Sequence, residues 1–135
     1  MAIVLPQGRF SNPSDAYVRR FIADNARILG VVSLDVNTFK PHTGTKTSVL
    51  LLQKWNDDPI LGPLCPRVED YPVFFAVSEK SGKDSSGNYT VKIDEVGRPL
   101  RDSTGQLVID HDLDIIAEQF IRFARREGLS FWRGE

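Results

Sequence analysis

One cysteine, two histidines and one methionine in 135 residues leave little material for sulfur or metal chemistry. With Cys65 alone no internal disulfide is possible, which suits a reducing compartment. Cys65 lies in Pro63-Leu64-Cys65-Pro66, far in sequence from His42 and His111, and reads as a buried thiol rather than a nucleophile. The same three residues are too scattered for a zinc-ligand spacing, so no structural metal is expected. No long apolar run marks a membrane span or a signal peptide, and a soluble, cytoplasmic chain is expected. A formal net charge of −1 excludes a globally basic nucleic-acid binder and leaves any phosphate contact to local groups. Also missing are a Gly-x-Gly-x-x-Gly fingerprint, a Ser-His-Asp order, a paired-carboxylate arrangement and any evident internal repeat.

What is present is an ordinary globular composition, 41% hydrophobic and 26% charged, at a length that fits one domain. Its most informative stretch is Asn37-Thr38-Phe39-Lys40-Pro41-His42-Thr43-Gly44-Thr45-Lys46-Thr47-Ser48, lodged between apolar runs at 28–34 and 49–52. One aromatic, a proline, two lysines, a histidine and several hydroxyls suit a loop that holds a planar, phosphate-bearing ligand.

Residues 2–5 read as a strand that stops at the breaker cluster Pro6-Gln7-Gly8, where a loop opens. Asn12 then reads as an N-cap, with Pro13 at the first helical position and Asp15 in the first turn of a helix running to about Asn25. Tyr17, Val18, Phe21 and Ile22 recur at helical spacing and predict a face packed on a sheet, with Arg19, Arg20 and Asp24 opposite. The runs at 28–34 and 49–52 are continuously apolar, as interior strands covered on both faces would be. Strand, crossover helix and strand form a parallel right-handed unit, and the loop returns the chain as an antiparallel hairpin, giving β-α-β-β. Two covered strands need more layers than one helix supplies, so residues 1–56 read as the later portion of a larger α/β domain.

Residues 57–72 are punctuated by Pro59, Pro63, Pro66 and Pro72 and read as a linker or extended cover. In the 73–110 region, 73–77 and 89–93 are expected to pair as a hairpin across a Gly/Ser/Asp-rich turn, with further turns at Gly97-Arg98-Pro99 and Ser103-Thr104-Gly105 and a candidate strand at 107–109. The last segment, 111–135, holds a helix at about 113–127 with Ile116, Phe120, Phe123 and Ala124 on one face and Gly128 past its end. Asp112 and Asp114 at its start and Arg122, Arg125 and Arg126 at its end complement the helix dipole. Asp110-His111-Asp112-x-Asp114 carries cation-ligand residue types, but helix capping is the preferred reading. Arg122, Arg125, Arg126 and Arg133 read as a solvated helix end in preference to a phosphate site.

Three strings taken together resemble a known family: Ala2-Ile3-Val4-Leu5-Pro6-Gln7-Gly8, Asp24-Asn25-Ala26-Arg27-Ile28-Leu29, and the loop from Asn37 to Ser48. They resemble N6-adenine DNA methylases, closest to the modification subunit of type I restriction–modification systems. The resemblance covers residues 2–54 and continues more loosely through Tyr71-Pro72-Val73-Phe74-Phe75-Ala76-Val77 with Gly82-Lys83-Asp84 and Gly87. It implies a partial class I (Rossmann-like) methyltransferase sheet, followed by a small β-hairpin region and a C-terminal helix. That family's S-adenosylmethionine site, acidic ribose ligand and Asn-Pro-Pro-Phe catalytic turn have no counterpart here. Asn12-Pro13-Ser14 and Asp58-Pro59-Ile60 both lack the second proline and the aromatic.

The resemblance therefore implies a fragment without catalytic or cofactor-binding residues, expected to be inactive alone. Methylases of this kind extrude the target base, and Phe39 matches the position of the aromatic that stacks on it. Lys40, Thr43, Thr45 and Lys46 are the matching candidates for DNA-backbone contact. For Phe39 the competing reading is a loop aromatic tucked into the core. Implied partners are DNA, bound weakly or not at all by this chain alone, the remainder of the methylase, and the specificity and restriction subunits. The alternative is a non-catalytic interaction module that docks, or pairs with itself, through an exposed sheet edge, with no membrane involved. A third reading is an independent α+β domain with a ligand pocket near residues 37–48.

Overall fold

A computed structural model of the chain describes residues 1–129, and Arg133 lies outside the described residues. Four strands make one mixed sheet: β1 (Ala2–Pro6), β2 (Ala26–Ser33), β3 (Thr47–Lys54) and β4 (Phe74–Val77), in the order β1-β3-β2-β4. β3 pairs antiparallel with β1 from Ala2 opposite Leu51 to Pro6 opposite Thr47, and antiparallel with β2 from Ala26 opposite Lys54 to Ser33 opposite Ser48. β1 and β2 therefore run in the same direction, as the β-α-β-β reading requires, but β3 is inserted between them. Pro6 closes β1, a sheet-edge strand, where a residue without an N–H costs the ladder least.

The expected hairpin between 73–77 and 89–93 does not form. β4 instead pairs parallel with β2, Gly30 opposite Phe74 through Ser33 opposite Val77. The sheet thus draws on both the 1–56 and the 73–110 segments. Phe74 explains the choice: its ring packs edge-on to Phe120 at 5.4 Å and tilted to Phe123 at 5.7 Å, burying apolar surface that a hairpin partner would leave in water.

One extra residue in β2 changes which of its side chains point to each face. Its register steps from Ile28 opposite Leu52 to Gly30 opposite Leu51, so Leu29 is unpaired. Such a bulge shifts the alternation of side chains. Ile28 and Val31, three apart, both pack against the buried cluster of Ala26, Leu50 and Leu52, while Leu29 belongs to the other cluster, with Phe123, Ala124 and Leu129.

A helical turn α1 (Gly8–Ser11) forms where a loop was expected, and a 3₁₀ turn at Pro13–Asp15 leads into α2 (Ala16–Asn25). Asn12 makes no side-chain cap, and Asp15 is buried in an ion pair with Arg9 at 2.9 Å. The face expected to pack on the sheet is mostly exposed: Tyr17 is 73% and Phe21 67% accessible, Val18 is exposed, and Ile22 alone of the four packs against the apolar cluster. Helical period marks which residues share a stripe, not whether a layer lies above it.

On the opposite face lies α3 (Leu113–Arg126), with Phe123 and Ala124 buried. Its end is closed by Leu129 N–H to the Ala124 carbonyl at 3.0 Å and Gly128 N–H to the Arg125 carbonyl at 3.2 Å, with buried Leu129 packed beside Ala124. Its start departs from the expected capping. Asp112 makes no cap; the Leu113 N–H donates to His111 Nδ1 at 3.2 Å instead. The Asp112 carboxylate accepts Ser78 Oγ at 2.5 Å, Glu79 N–H at 2.7 Å and Lys80 N–H at 3.2 Å, tying the end of β4 to the start of α3. Burial opposes ionisation of Asp112, but these bonds outweigh it and hold its carboxyl below the usual range.

Segment 56–65 is closed by a two-way backbone pair between Asn56 and Cys65, and the Asn56 amide donates to the carbonyls of Asp58, Gly62 and Pro63. Beyond it, Arg67 donates to the Asp24 carbonyl and Tyr71 accepts the Ile28 N–H, drawing 57–72 over the sheet as a cover.

Residues 81–111 hold a repeat that the sequence reading missed. Asp84, Asp94 and Asp102 each open the same turn. The aspartate carboxylate accepts the N–H groups two and four residues on, its carbonyl accepts the N–H of a glycine three on, and that glycine has a positive φ of 88°, 85° or 86°. Isolated antiparallel bridges at Lys83–Tyr89, Ile93–Pro99 and Arg101–Leu107 flank the three turns. Only Asp-x-x-Gly is shared, at unequal spacing, which is too little for a repeat to show in the letters.

Two outcomes test this arrangement. Ala124→Leu should lose about 1–3 kcal/mol in urea unfolding by overpacking the α3 interface, whereas Ala117→Leu on the exposed side should stay within about 0.5 kcal/mol. Equal midpoints would contradict the α3 packing. Because the folded Asp112 carboxyl titrates below its unfolded value of about 3.9, its contribution is complete above that pH and is lost as pH falls through the lower folded value. Asp112→Asn should thus be less stable than the parent at pH 7, with the gap closing below about pH 4. A gap unchanged down to pH 2.5 would refute the clamp.

Candidate functional site

The loop between β2 and β3 lies at the carboxyl ends of β1, β2 and β4, the three strands that share a direction. In α/β sheets that is the end where ligands are bound. Its ends are pinned: Leu34 N–H donates to the Thr47 carbonyl at 2.9 Å, and Gln7 N–H, just past β1, donates to the Lys46 carbonyl at 2.9 Å.

Inside the loop Asp35 is the organiser. Its carboxylate accepts Asn37 N–H at 3.1 Å and Ser81 Oγ at 2.8 Å, and its carbonyl accepts both the N–H and the hydroxyl of Thr38, at 3.0 and 2.6 Å. The Phe39 carbonyl accepts His42 and Thr43 N–H at 3.0 and 3.1 Å. The backbone of Phe39 is therefore held, and the residue as a whole is 37% exposed, a member of neither buried apolar cluster. Thr43 and Thr45 are exposed; Thr43 Oγ1 accepts the Thr45 N–H at 3.1 Å and lies 2.9 Å from Thr45 Oγ1. Lys40 and Lys46 are half-buried, and the Lys40 ammonium folds over Gly44, 3.1 Å from where a Cβ would stand. Phe39, Lys40, Thr43, Thr45 and Lys46 are thus gathered on one ordered loop, with exposed His42 between them.

The residues missed from sequence come from the first of the three repeated turns. Lys83 Nζ donates to the Lys40 carbonyl at 2.9 Å, and the backbone of Gly87 abuts the Lys40–Pro41 peptide, so that a Cβ on Gly87 would sit 2.5 Å from Pro41 N. Lys40 and Lys83 are 43 residues apart, and no local signal links them.

Other groups lie elsewhere. A cavity of about 560 Å³ on the α3 face is lined by Leu29, Leu51, Trp55, Leu61 and Phe120 among others, toward the end of β3 away from the loop. Cys65 is buried, and burial raises its thiol pKa against the attraction of Arg27, with Asp57 adding to the rise, which disfavours a reactive thiolate. Among the described residues no group of three or more His, Cys, Asp or Glu side chains is placed to hold a metal, and no helix is long and apolar enough to cross a membrane.

Comparison with protein-family models finds no matching family, and comparison with curated proteins finds no matching sequence.

Proposed function

We propose that this chain carries the target-base-contacting part of an adenine-N6 DNA methyltransferase of the type I restriction–modification kind. The supporting observation is the exposed ring of Phe39 on a pinned loop at the carboxyl ends of the co-directional strands, with Lys40, Thr43, Thr45 and Lys46 beside it. A partly exposed aromatic ring on a pinned loop can stack on an unpaired base, and hydroxyl and ammonium donors suit the flanking phosphates. The antiparallel pairing of β2 with β3 across the loop supports this reading, since the sequence leads one to expect a hairpin there. S-adenosylmethionine chemistry belongs to motifs this sequence does not contain, so the chain contributes recognition and not methyl transfer.

Fluorescence anisotropy tests the reading with two duplexes, one fully paired and one with its adenine opposite an abasic site. The parent chain should prefer the second, and Phe39→Ala should lose roughly 5- to 100-fold of that affinity. Equal affinity of parent and variant for the unpaired adenine would reject the stacking role.

A second reading, a docking module for methylase or specificity subunits, is favoured by the apolar side chains left in water. Tyr17, Val18 and Phe21 on α2 are exposed, as are Met1, Ile3 and Val4 on and beside the edge strand β1. Surface of this kind is normally covered by a partner. Light scattering distinguishes the readings: concentration-dependent association abolished by Tyr17→Ser with Phe21→Ser supports docking, and a monomer at all concentrations opposes it.

A further inference from the structure

Three turns of identical construction follow one another at Asp84, Asp94 and Asp102, and they differ in one respect. A Cβ added at Gly97 or Gly105 meets nothing within 4 Å, whereas one at Gly87 meets Pro41 N at 2.5 Å, Pro41 Cδ at 2.6 Å and the Lys40 carbonyl carbon at 2.8 Å. Of the three glycines only Gly87 is packed against another segment, and that segment is the Lys40–Pro41 peptide, one residue beyond Phe39. Two polar ties accompany the contact: Lys83 Nζ to the Lys40 carbonyl at 2.9 Å, and Ser81 Oγ to the Asp35 carboxylate at 2.8 Å.

We propose that the 81–89 hairpin is a clamp that sets the pose of Phe39 for its ligand, with Lys83 and Gly87 as positioning residues. This rests on the reading of Phe39 as a base-stacking aromatic. The loop's internal bonds end on the carbonyls of Asp35, Asn37 and Phe39, on the Asp35 carboxylate and on Thr43 Oγ1, and among the described residues none of them joins the Lys40–Pro41 peptide to the sheet. That peptide is held from outside, by an ammonium on its carbonyl oxygen and by a glycine backbone against its proline. The charge-assisted bond from Lys83 is stronger than a neutral one, and its removal leaves the Lys40 carbonyl without that donor. A stacking aromatic needs this kind of support, because a ring free to sample many poses spends binding free energy on being ordered.

The hairpin also places Tyr89 near the loop. Its ring centroid lies 5.7 Å from the same Lys83 ammonium that bonds Lys40, and the side chain is largely exposed. Lys83 is thus the link between the loop and the exposed aromatic of the docked turn.

The repeat supplies matched controls, since Gly97→Ala and Gly105→Ala strain the same turn without touching the loop. Hydrogen exchange of the full chain without DNA should show the His42 and Thr43 amides exchanging about tenfold faster in Lys83→Met and Gly87→Ala, unchanged in the two control variants, and restored in Lys83→Arg. In the anisotropy assay Lys83→Met should lose the preference for the unpaired adenine as Phe39→Ala does. Unchanged loop exchange in Lys83→Met and Gly87→Ala, or equal acceleration in Gly97→Ala, overturns the clamp. Faster exchange with full retention of the adenine preference overturns the positioning role. If the parent chain binds neither duplex, the exchange contrast alone decides whether the hairpin holds the loop.

Discussion

β3 runs antiparallel between two strands that run together, and the sheet and both apolar clusters are organised around that insertion. Its backbone satisfies β1 on one side and β2 on the other, in registers that fix both neighbours residue by residue. Its side chains alternate, Leu50 and Leu52 toward the α2 layer and Leu51 toward the α3 layer, so one strand seeds both apolar clusters. The same geometry decides where the loop stands. A connection from the end of β2 into the start of an adjacent antiparallel strand begins and ends at the same edge of the sheet. Its two ends are then fastened by ladder-like bonds to Thr47 and from Gln7.

The second half of the chain completes this frame. β4 extends the sheet along β2, the rings of Phe74, Phe120 and Phe123 meet over it, and the unpaired Leu29 turns toward them. Asp112 then spends its carboxylate on Ser78, Glu79 and Lys80, so the end of β4 and the start of α3 are joined at the edge of the sheet that carries the loop. From that junction the chain passes directly into the hairpin at 81–89 that backs the Phe39 loop. Scaffold and candidate site are one mechanical unit, connected through Ser78, Ser81 and Asp35.

Polar satisfaction and apolar exposure are distributed unevenly. The three Asp-x-x-Gly turns use each carboxylate for local backbone donors, which lowers the pKa of Asp84, Asp94 and Asp102, bonds from Asn88, Arg98 and Thr104 being the largest influence in turn. Those carboxylates are therefore occupied in building turns. Apolar side chains are left in water on α2 and β1, and also at Ile60 and Leu61, on β4 at Phe75 and Val77, and among the turns at Tyr89, Ile93 and Val96.

Much of the fold was legible in local patterns because local patterns have local causes. Continuous apolar runs at 28–34 and 49–52 announce interior strands, helical spacing announces α3, and a polar, hydroxyl-rich stretch between strands announces a loop with Phe39 at its centre. Tertiary structure alone decided that 73–77 joins β2 rather than 89–93, that Tyr17 and Phe21 stay exposed, and that Asp112 ties a strand end instead of capping a helix. It alone brought Lys83 and Gly87 to Lys40 and Pro41. The physical reason is common to all of these. Periodicity and turn chemistry depend on neighbours within a few residues, whereas burial and cross-chain hydrogen bonds depend on which distant segment wins the contact, and that competition leaves no mark in the order of residues.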